Sequence, residues 1–176
     1  MHNEILFAGF GGQGILFSGK LFAYIGMLSE QETSWLPSYG PEMRGGTANC
    51  SVIISDDPIG SPLVLQPTEL MVMNAPSLDK FEQAVKVGGK IFVDSSIISR
   101  PGVRSDVDYF YVPATKLAME NGMTKLANVI MIGKMLREMQ VADAALVEKV
   151  IRKNVPASKP ELFDLNMKAI KLGYDF

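Results

Sequence analysis

The sequence is poor in the side chains that bind metals and form disulfides. Cys50 is the only cysteine and His2 the only histidine among 176 residues. One cysteine cannot form an internal disulfide, and the chain lacks both the four thiolates of an iron–sulfur site and the ligands of a His/Cys zinc site. Iron–sulfur and zinc–thiolate chemistry carried by this chain alone is therefore excluded. The single cysteine also fits a reducing, cytoplasmic location.

Blocks of one charge and long apolar runs are missing as well. The 17 basic and 19 acidic residues give a formal net charge of −2, and the Lys and Arg residues form no stripe that could follow a nucleic-acid backbone. No apolar run is long enough to span a bilayer, and residues 1–4 lack the positive charge that begins a signal peptide. We therefore expect neither a nucleic-acid partner nor a membrane partner.

What is present is an alternation of strand-like and helix-like segments in a chain that is 47% hydrophobic. This length and composition predict a single domain over residues 1–176. Strands are predicted at 5–8, 32–36, 48–54, 70–73, 90–93 and 108–112, with a short edge strand at 63–65, and helices at 14–28, 78–87, 128–139, 143–153 and 160–172, plus a short one ending near 121. The order predicts an α/β protein, a three-layer α/β/α sandwich with a mostly parallel sheet.

Single residues refine these boundaries. Pro37 is expected to break the second strand, and Ser77 is the predicted N-cap of the helix over 78–87. Gly19 and Gly26 lie within the first helix, where such small residues allow close packing on the sheet.

A glycine-rich loop follows the first strand and leads directly into the first helix. Backbone N–H groups at such a turn, together with the positive end of the helix dipole, suit a phosphate or another anion. The candidate cofactor-binding residues are Gly9, Gly11, Gly12, Gln13 and Gly14.

Two familiar nucleotide motifs fit this loop only in part. Gly9, Gly11 and Gly14 satisfy G-x-G-x-x-G, but the second strand ends without the acid that binds the ribose of a dinucleotide. Residues 14–20 match G-x-x-x-x-G-K, yet Leu21 stands where a P-loop needs Ser or Thr for magnesium. The absence of this hydroxyl excludes NTP hydrolysis. Lys20 is instead predicted to lie on the side of a helix. A stand-alone dinucleotide-binding protein remains the alternative.

A second loop, residues 38–47, is long, glycine-rich and carries an acid, a base and an aromatic residue. Long ordered loops in compact domains are more often functional than not. We predict an interface or substrate loop made of Ser38, Tyr39, Gly40, Pro41, Glu42, Arg44, Gly45, Gly46 and Thr47. This loop, the glycine loop and the segments 74–77, 94–96 and 113–115 should meet at the carboxyl edge of the sheet. No catalytic residue and no metal ligand is predicted.

The two loops resemble the gamma subunit of 2-oxoacid:ferredoxin oxidoreductases, and the 2-oxoglutarate branch is the nearest. The resemblance is carried by residues 9–15 with Ser18-Gly19-Lys20 and by residues 38–50. It extends to the segments 126–133 and 165–174 and so covers nearly the whole chain.

The resemblance implies an assembly that oxidatively decarboxylates a 2-oxoacid with thiamine diphosphate, transfers the acyl group to coenzyme A (CoA) and reduces ferredoxin through iron–sulfur clusters. It places thiamine diphosphate and the clusters on alpha-, beta- and delta-type partner subunits. This chain would have an accessory, CoA-handling role with no tightly bound cofactor, and alone it would not be catalytic. Pyruvate, a branched-chain 2-oxoacid and indolepyruvate remain open as substrates.

Overall fold

Six strands form one sheet in the computed structural model, which describes residues 1–38 and 48–176. They are β1 (His2–Gly9), β2 (Glu32–Ser38), β3 (Ala48–Ser55), β4 (Glu69–Val72), β5 (Lys90–Asp94) and β6 (Asp108–Val112). The spatial order is β2-β3-β1-β4-β5-β6. β1, β4, β5 and β6 pair in parallel, whereas β3 is antiparallel to both of its neighbours. Only β3 therefore runs against the others, and the predicted mostly parallel sheet is confirmed.

Helices cover both faces of this sheet. They are α1 (Ile15–Leu28), α2 (Ala75–Phe81), α3 (Ala114–Glu120), α4 (Ala127–Met139), α5 (Ala144–Asn154) and α6 (Pro160–Asp175). Successive side chains of a strand point to opposite faces. Ile5 and Phe7 of β1 accordingly pack with α1 and α3–α6, whereas Leu6 and Ala8 pack with α2. In the described segments, no helix is both long and apolar enough to cross a bilayer.

The predicted edge strand at 63–65 was wrong. These residues form a loop, in which the side chains of Leu63 and Leu65 are 62% and 78% exposed. Pro62 and Pro67 flank them and cannot donate backbone hydrogen bonds to a neighbouring strand. The expectation that Pro37 breaks the second strand was also wrong, because β2 continues to Ser38. β2 is an edge strand, the position in a sheet where a proline is tolerated.

The predicted helix over 78–87 begins and ends earlier. Asn74 is its N-cap, and the Asn74 side chain accepts a hydrogen bond from the Ser77 N–H at 2.8 Å. The predicted N-cap, Ser77, was therefore wrong, although both residue types are good caps. With Asn74 as the N-cap, Pro76 lies in the first turn, where a backbone N–H would have no partner within the helix and its absence costs no hydrogen bond. After Phe81 the chain tightens into a 3₁₀ turn over Glu82–Ala84.

Two glycines allow α1 to lie directly on the sheet. A Cβ at Gly19 would overlap Cys50 Sγ on β3, and one at Gly26 would overlap Thr33 Oγ1 on β2. The expected close packing is thus confirmed. It holds α1 with its N-terminus at the carboxyl end of β1, where the glycine loop lies.

Candidate functional site

The carboxyl edge of the sheet carries the glycine loop and the strand ends that flank residues 38–47. The ends of β1, β2, β4, β5 and β6 lie there together with the start of β3, since Gly9 pairs with Ala48 and Ser38 with Asn49. Ser38 is exposed at the end of β2. The other members of the predicted interface loop lie outside the described residues: Tyr39, Gly40, Pro41, Glu42, Arg44, Gly45, Gly46 and Thr47.

The glycine loop enters α1 through two left-handed residues. Gly12 has φ +90° and Gly14 has φ +76°, in the region that favours glycine. Gly14 is the N-cap of α1, so no side chain accepts from the first-turn N–H groups, and the first turn contains no acid. In contrast, α2 and α5 are capped by the side chains of Asn74 and Asp143. α1 therefore begins without the internal acceptor that those two helices have.

The Gln13 side chain fastens the loop to the end of β4. Its Nε2 donates to the Met73 carbonyl at 2.8 Å, and its Oε1 accepts from the Phe10 N–H at 2.6 Å. Its own N–H donates to the Phe10 carbonyl at 3.2 Å. Gly9 is equally enclosed, because a Cβ there would lie 2.7 Å from Gln13 Oε1 and 3.0 Å from Met73 Cβ. These two predicted cofactor-binding residues shape the loop.

Gly11 and Gly12 form the open part of the loop. A Cβ at either would meet nothing within 4 Å. The N–H groups of Gly11, Gly12 and Gly14 donate to no acceptor among the residues that the structure describes. The predicted donor set is therefore smaller by one, because the Gln13 N–H is occupied. The N–H groups of Gly11, Gly12 and Gly14 remain, next to the uncapped first-turn N–H groups of α1, which include that of Ile15, at the positive end of a 14-residue helix.

Asn128, at the start of α4, was missed as a site residue by the sequence reasoning. Its side chain is buried against the loop, and its Nδ2 donates to the Gly14 carbonyl at 3.1 Å and to Ser18 Oγ at 3.2 Å. The available signal was a lone amide in the apolar run 127–132, within a segment that carries the family resemblance.

Asp94 and Asn74, two further polar residues of this edge, serve the fold. Asp94, at the end of β5, accepts from the Ser96 N–H at 3.0 Å and from Thr115 Oγ1 at 2.5 Å. It thereby joins β5 to α3. Asn74 caps α2 in the same way. Their carboxylate and amide oxygens are used by the backbone and by neighbouring hydroxyls.

Among the residues that the structure describes, groups with perturbed pKa values do not gather at the glycine loop. Burial raises the pKa of the Cys50 thiol to about 12, although a hydrogen bond from Trp35 acts in the opposite direction. A thiol with that pKa is not a nucleophile at neutral pH. Burial also raises the pKa of Glu69, against the opposing effects of the Thr68 hydroxyl and Lys90, but Glu69 begins β4 and so lies at the opposite edge. Within residues 1–38 and 48–176, no three metal-ligating side chains come together.

The fold supports neither of the two nucleotide-binding motifs. In a dinucleotide-binding fold the second strand lies beside the first and carries the ribose-binding acid. Here β3 lies between β1 and β2, so the end of β2 is displaced to the edge of the sheet. Lys20 is exposed, and its Nζ lies 5.7 Å from the ring centre of Tyr24, one turn further from the loop. Neither motif has its supporting geometry.

Residues 4–176 match the family model described as pyruvate ferredoxin/flavodoxin oxidoreductase. The chain belongs to this family. It is 34% identical over 178 residues to the 2-oxoglutarate synthase subunit KorC of Methanocaldococcus jannaschii, covering 99% of this chain and 94% of that one. It is 38% identical over 176 residues to the ketoisovalerate oxidoreductase subunit VorA of Methanothermobacter thermautotrophicus, covering 98% of this chain and 36% of that one.

A solved structure of the family shares the whole fold. The keto/oxoacid ferredoxin oxidoreductase gamma subunit of Geobacter sulfurreducens superimposes with a TM-score of 0.82 at 28% identity, covering 98% of this chain and 96% of that one. The chain thus spans about a third of the VorA relative but nearly all of KorC and of this gamma subunit. The predicted resemblance to gamma subunits is confirmed.

Proposed function

We propose that this chain is the gamma-type subunit of a multi-subunit 2-oxoglutarate:ferredoxin oxidoreductase. The observation that carries the proposal is the end-to-end match to a 2-oxoglutarate synthase subunit at 34% identity. The complex converts a 2-oxoacid and CoA to acyl-CoA and CO₂, and the electrons released reduce ferredoxin.

The residues of this chain do not fit the redox and thiamine chemistry of that reaction. Its one cysteine is buried beneath α1 with a raised pKa, and its one histidine is at position 2, on the first strand. We therefore assign thiamine diphosphate and the iron–sulfur clusters to alpha-, beta- and delta-type partner chains, through which ferredoxin is also reached. The isolated gamma-type chain has no catalytic residue of its own in this account.

The contribution of the chain is to receive CoA. CoA carries a pyrophosphate, and an anion at a helix N-terminus is stabilised both by unpaired N–H groups and by the helix dipole. The N–H groups of Gly11, Gly12 and Gly14 fit this role because they donate to no described protein acceptor. Residues 38–47 form the contact with a partner chain, and their flanking strands β2 and β3 bring that contact to the edge that carries the glycine loop.

Gly11→Asp is expected to raise the dissociation constant of the assembled complex for CoA about tenfold or more. The position has room for a side chain and an ordinary φ, so folding should be unaffected. A carboxylate near a helix N-terminus even stabilises the helix by about 0.3–1 kcal/mol, but it takes the place of the ligand phosphate and repels it. Isothermal titration of the purified complex with CoA measures the change.

Gly60→Asp is the matched control for this variant. It introduces the same charge at an equally open glycine with an ordinary φ, in the connection between β3 and β4. CoA affinity should stay at the wild-type value. If Gly11→Asp also binds CoA with wild-type affinity, the glycine loop is not the CoA site.

A branched-chain 2-oxoacid is the second candidate substrate, favoured by the 38% identity to the ketoisovalerate oxidoreductase subunit. Pyruvate and indolepyruvate are further alternatives within the family. The substrate is chosen where decarboxylation occurs, on a partner chain in this account. Turnover of the native complex with each acid in turn therefore separates these candidates. A stand-alone dinucleotide-binding protein would instead bind NAD or NADP without partners.

A further inference from the structure

The carbonyl of Gly14 accepts three hydrogen bonds, from two separate helices. The Ser18 N–H donates to it at 2.9 Å as the first bond of α1, and the Ser18 hydroxyl donates at 3.0 Å. The third donor is Asn128 Nδ2 on α4, at 3.1 Å. An N-cap carbonyl needs only the first of these to begin a helix. The other two hold its direction.

The direction of this carbonyl also sets the direction of a donor that faces the loop. The Gly14 C=O and the Ile15 N–H belong to one planar peptide group and point in opposite directions. When the carbonyl is held along α1, the N–H must point outward beyond the N-terminus of the helix. Gly14 itself is held in the left-handed region, at φ +76°. The orientation of the Ile15 N–H, an uncapped first-turn donor next to the N–H groups of the glycine loop, thus depends on what holds the Gly14 carbonyl.

The hydrogen bonds that orient the Gly14 carbonyl are buried. Asn128 is only 3% exposed and Ser18 is fully buried, so water cannot replace a lost donor without a rearrangement of the packing. Asn128 Nδ2 also donates to Ser18 Oγ at 3.2 Å, which makes the three groups one unit. Gln13, the neighbour of Gly14, donates to the Met73 carbonyl just after β4 and accepts from the Phe10 N–H on the other side of the open segment. The two amide side chains therefore fix the residues that flank Gly11 and Gly12.

We propose that Asn128 is a positioning residue for CoA binding, acting through the Gly14 carbonyl rather than by touching the ligand. This inference rests on the proposed CoA role of the loop. Because the Asn128 amide donates inward to Gly14 and Ser18, its effect on the ligand is exerted through the direction of the Ile15 N–H, which shares a peptide group with the Gly14 carbonyl.

In the assembled complex, Asn128→Ala is expected to raise KM for CoA about fivefold, the effect of losing one hydrogen bond of ordinary strength between CoA and the misdirected Ile15 N–H. The KM for the 2-oxoacid should stay within about twofold of wild type. Asn128→Asp keeps the side-chain volume but replaces the donor with an acceptor that faces a carbonyl. It should raise KM for CoA at least as much, which separates the lost donor from a simple cavity.

Asn166→Ala is the matched control. Asn166 is 5% exposed on α6, and its Nδ2 donates to a backbone carbonyl, that of Leu162, at 2.7 Å. The same substitution at the same depth should destabilise the chain to a similar extent while KM for CoA stays unchanged. Equal KM values for CoA in the Asn128 and Asn166 variants would overturn the positioning role.

Hydrogen exchange of the folded chain provides a readout that needs no ligand. Loss of the Asn128 donor should speed exchange of the Ser18 N–H, which bonds to the Gly14 carbonyl, and Asn166→Ala should leave it unchanged. Equal Ser18 exchange in the two variants counts against the positioning role whatever the loop binds. Faster exchange in Asn128→Ala, combined with unchanged CoA affinity in Gly11→Asp, would instead place the error in the CoA assignment.

Discussion

Gly173→Ala is expected to lower the free energy of unfolding by about 3 kcal/mol or more, at the upper end of the range for overpacked cores. α4 and α6 cross with their backbones in contact at this residue. A Cβ at Gly173 would overlap the carbonyl oxygen of Ile130 and lie 2.7 Å from its carbonyl carbon. Backbone atoms cannot turn aside as a flexible side chain does, so the two helices would have to move apart.

Gly133 on α4 lies at the same helix crossing. A Cβ there would overlap the Ile170 carbonyl oxygen and lie 2.9 Å from the Tyr174 nitrogen. Gly133→Ala should therefore be destabilising for the same reason. For a chain of this length, a loss of about 3 kcal/mol corresponds to a fall in Tm of about 6–12 °C, which thermal unfolding followed by circular dichroism resolves.

Gly60→Ala serves as the control for both variants. An added Cβ meets nothing within 4 Å, and the residue has an ordinary φ. Its free energy of unfolding should stay within about 0.5 kcal/mol of wild type, as for most surface substitutions. A Gly173→Ala protein that unfolds within about 1 kcal/mol of wild type would show that the α4–α6 crossing is not as close as described.

Gly14→Ala is expected to cost about 2–4 kcal/mol of stability and to abolish tight CoA binding by the complex. Two effects add. An alanine at φ +76° is strained by about 1–2 kcal/mol. Its Cβ would also overlap Asn128 Nδ2 and lie 2.6 Å from Asn128 Cγ, so the amide must give up its bonds to Gly14 and Ser18. Each lost bond costs about 1 kcal/mol.

The double variant Gly14→Ala with Asn128→Ala separates these two effects. Removing the amide relieves the overlap but not the backbone strain. The pair should therefore be less destabilised than the sum of the single variants, by about 1 kcal/mol or more. Gly11→Ala is the control for the loop, since that position is open and has an ordinary φ. Strict additivity of the two single variants would mean that Asn128 does not press against Gly14.

Much of the fold could be predicted because apolar strands and helices leave local patterns. The short runs at β4 and β5 and the helices α4 to α6 were placed within a few residues. Strand direction and order leave no such pattern. Nothing local indicates that β3 runs antiparallel between β1 and β2, a placement that removes the dinucleotide geometry. The apolar residues at 63–65 predict a strand, because the pattern alone cannot show that no neighbouring strand is available to pair with them.

The candidate site also contains one part that the sequence predicts and one part that it does not. The glycine loop has a local signature, since a strand, glycines and a helix start follow one another within residues 5–15. Asn128 has none, because it lies 114 residues from Gly14 and only the packing of α4 beside α1 brings the two together. Gly133 and Gly173 stood within the segments of family resemblance, and the α4–α6 crossing supplies the physical reason for both.

Affinity purification of this chain from its native cell, followed by an assay of CoA-dependent ferredoxin reduction with 2-oxoglutarate, tests the central claim most directly. The account predicts that the chain is recovered with partner chains that carry thiamine diphosphate and iron–sulfur clusters. The complex should turn over, whereas the isolated chain should not. Recovery of a lone chain that reduces ferredoxin or a nicotinamide by itself would contradict the assignment as an accessory gamma-type subunit.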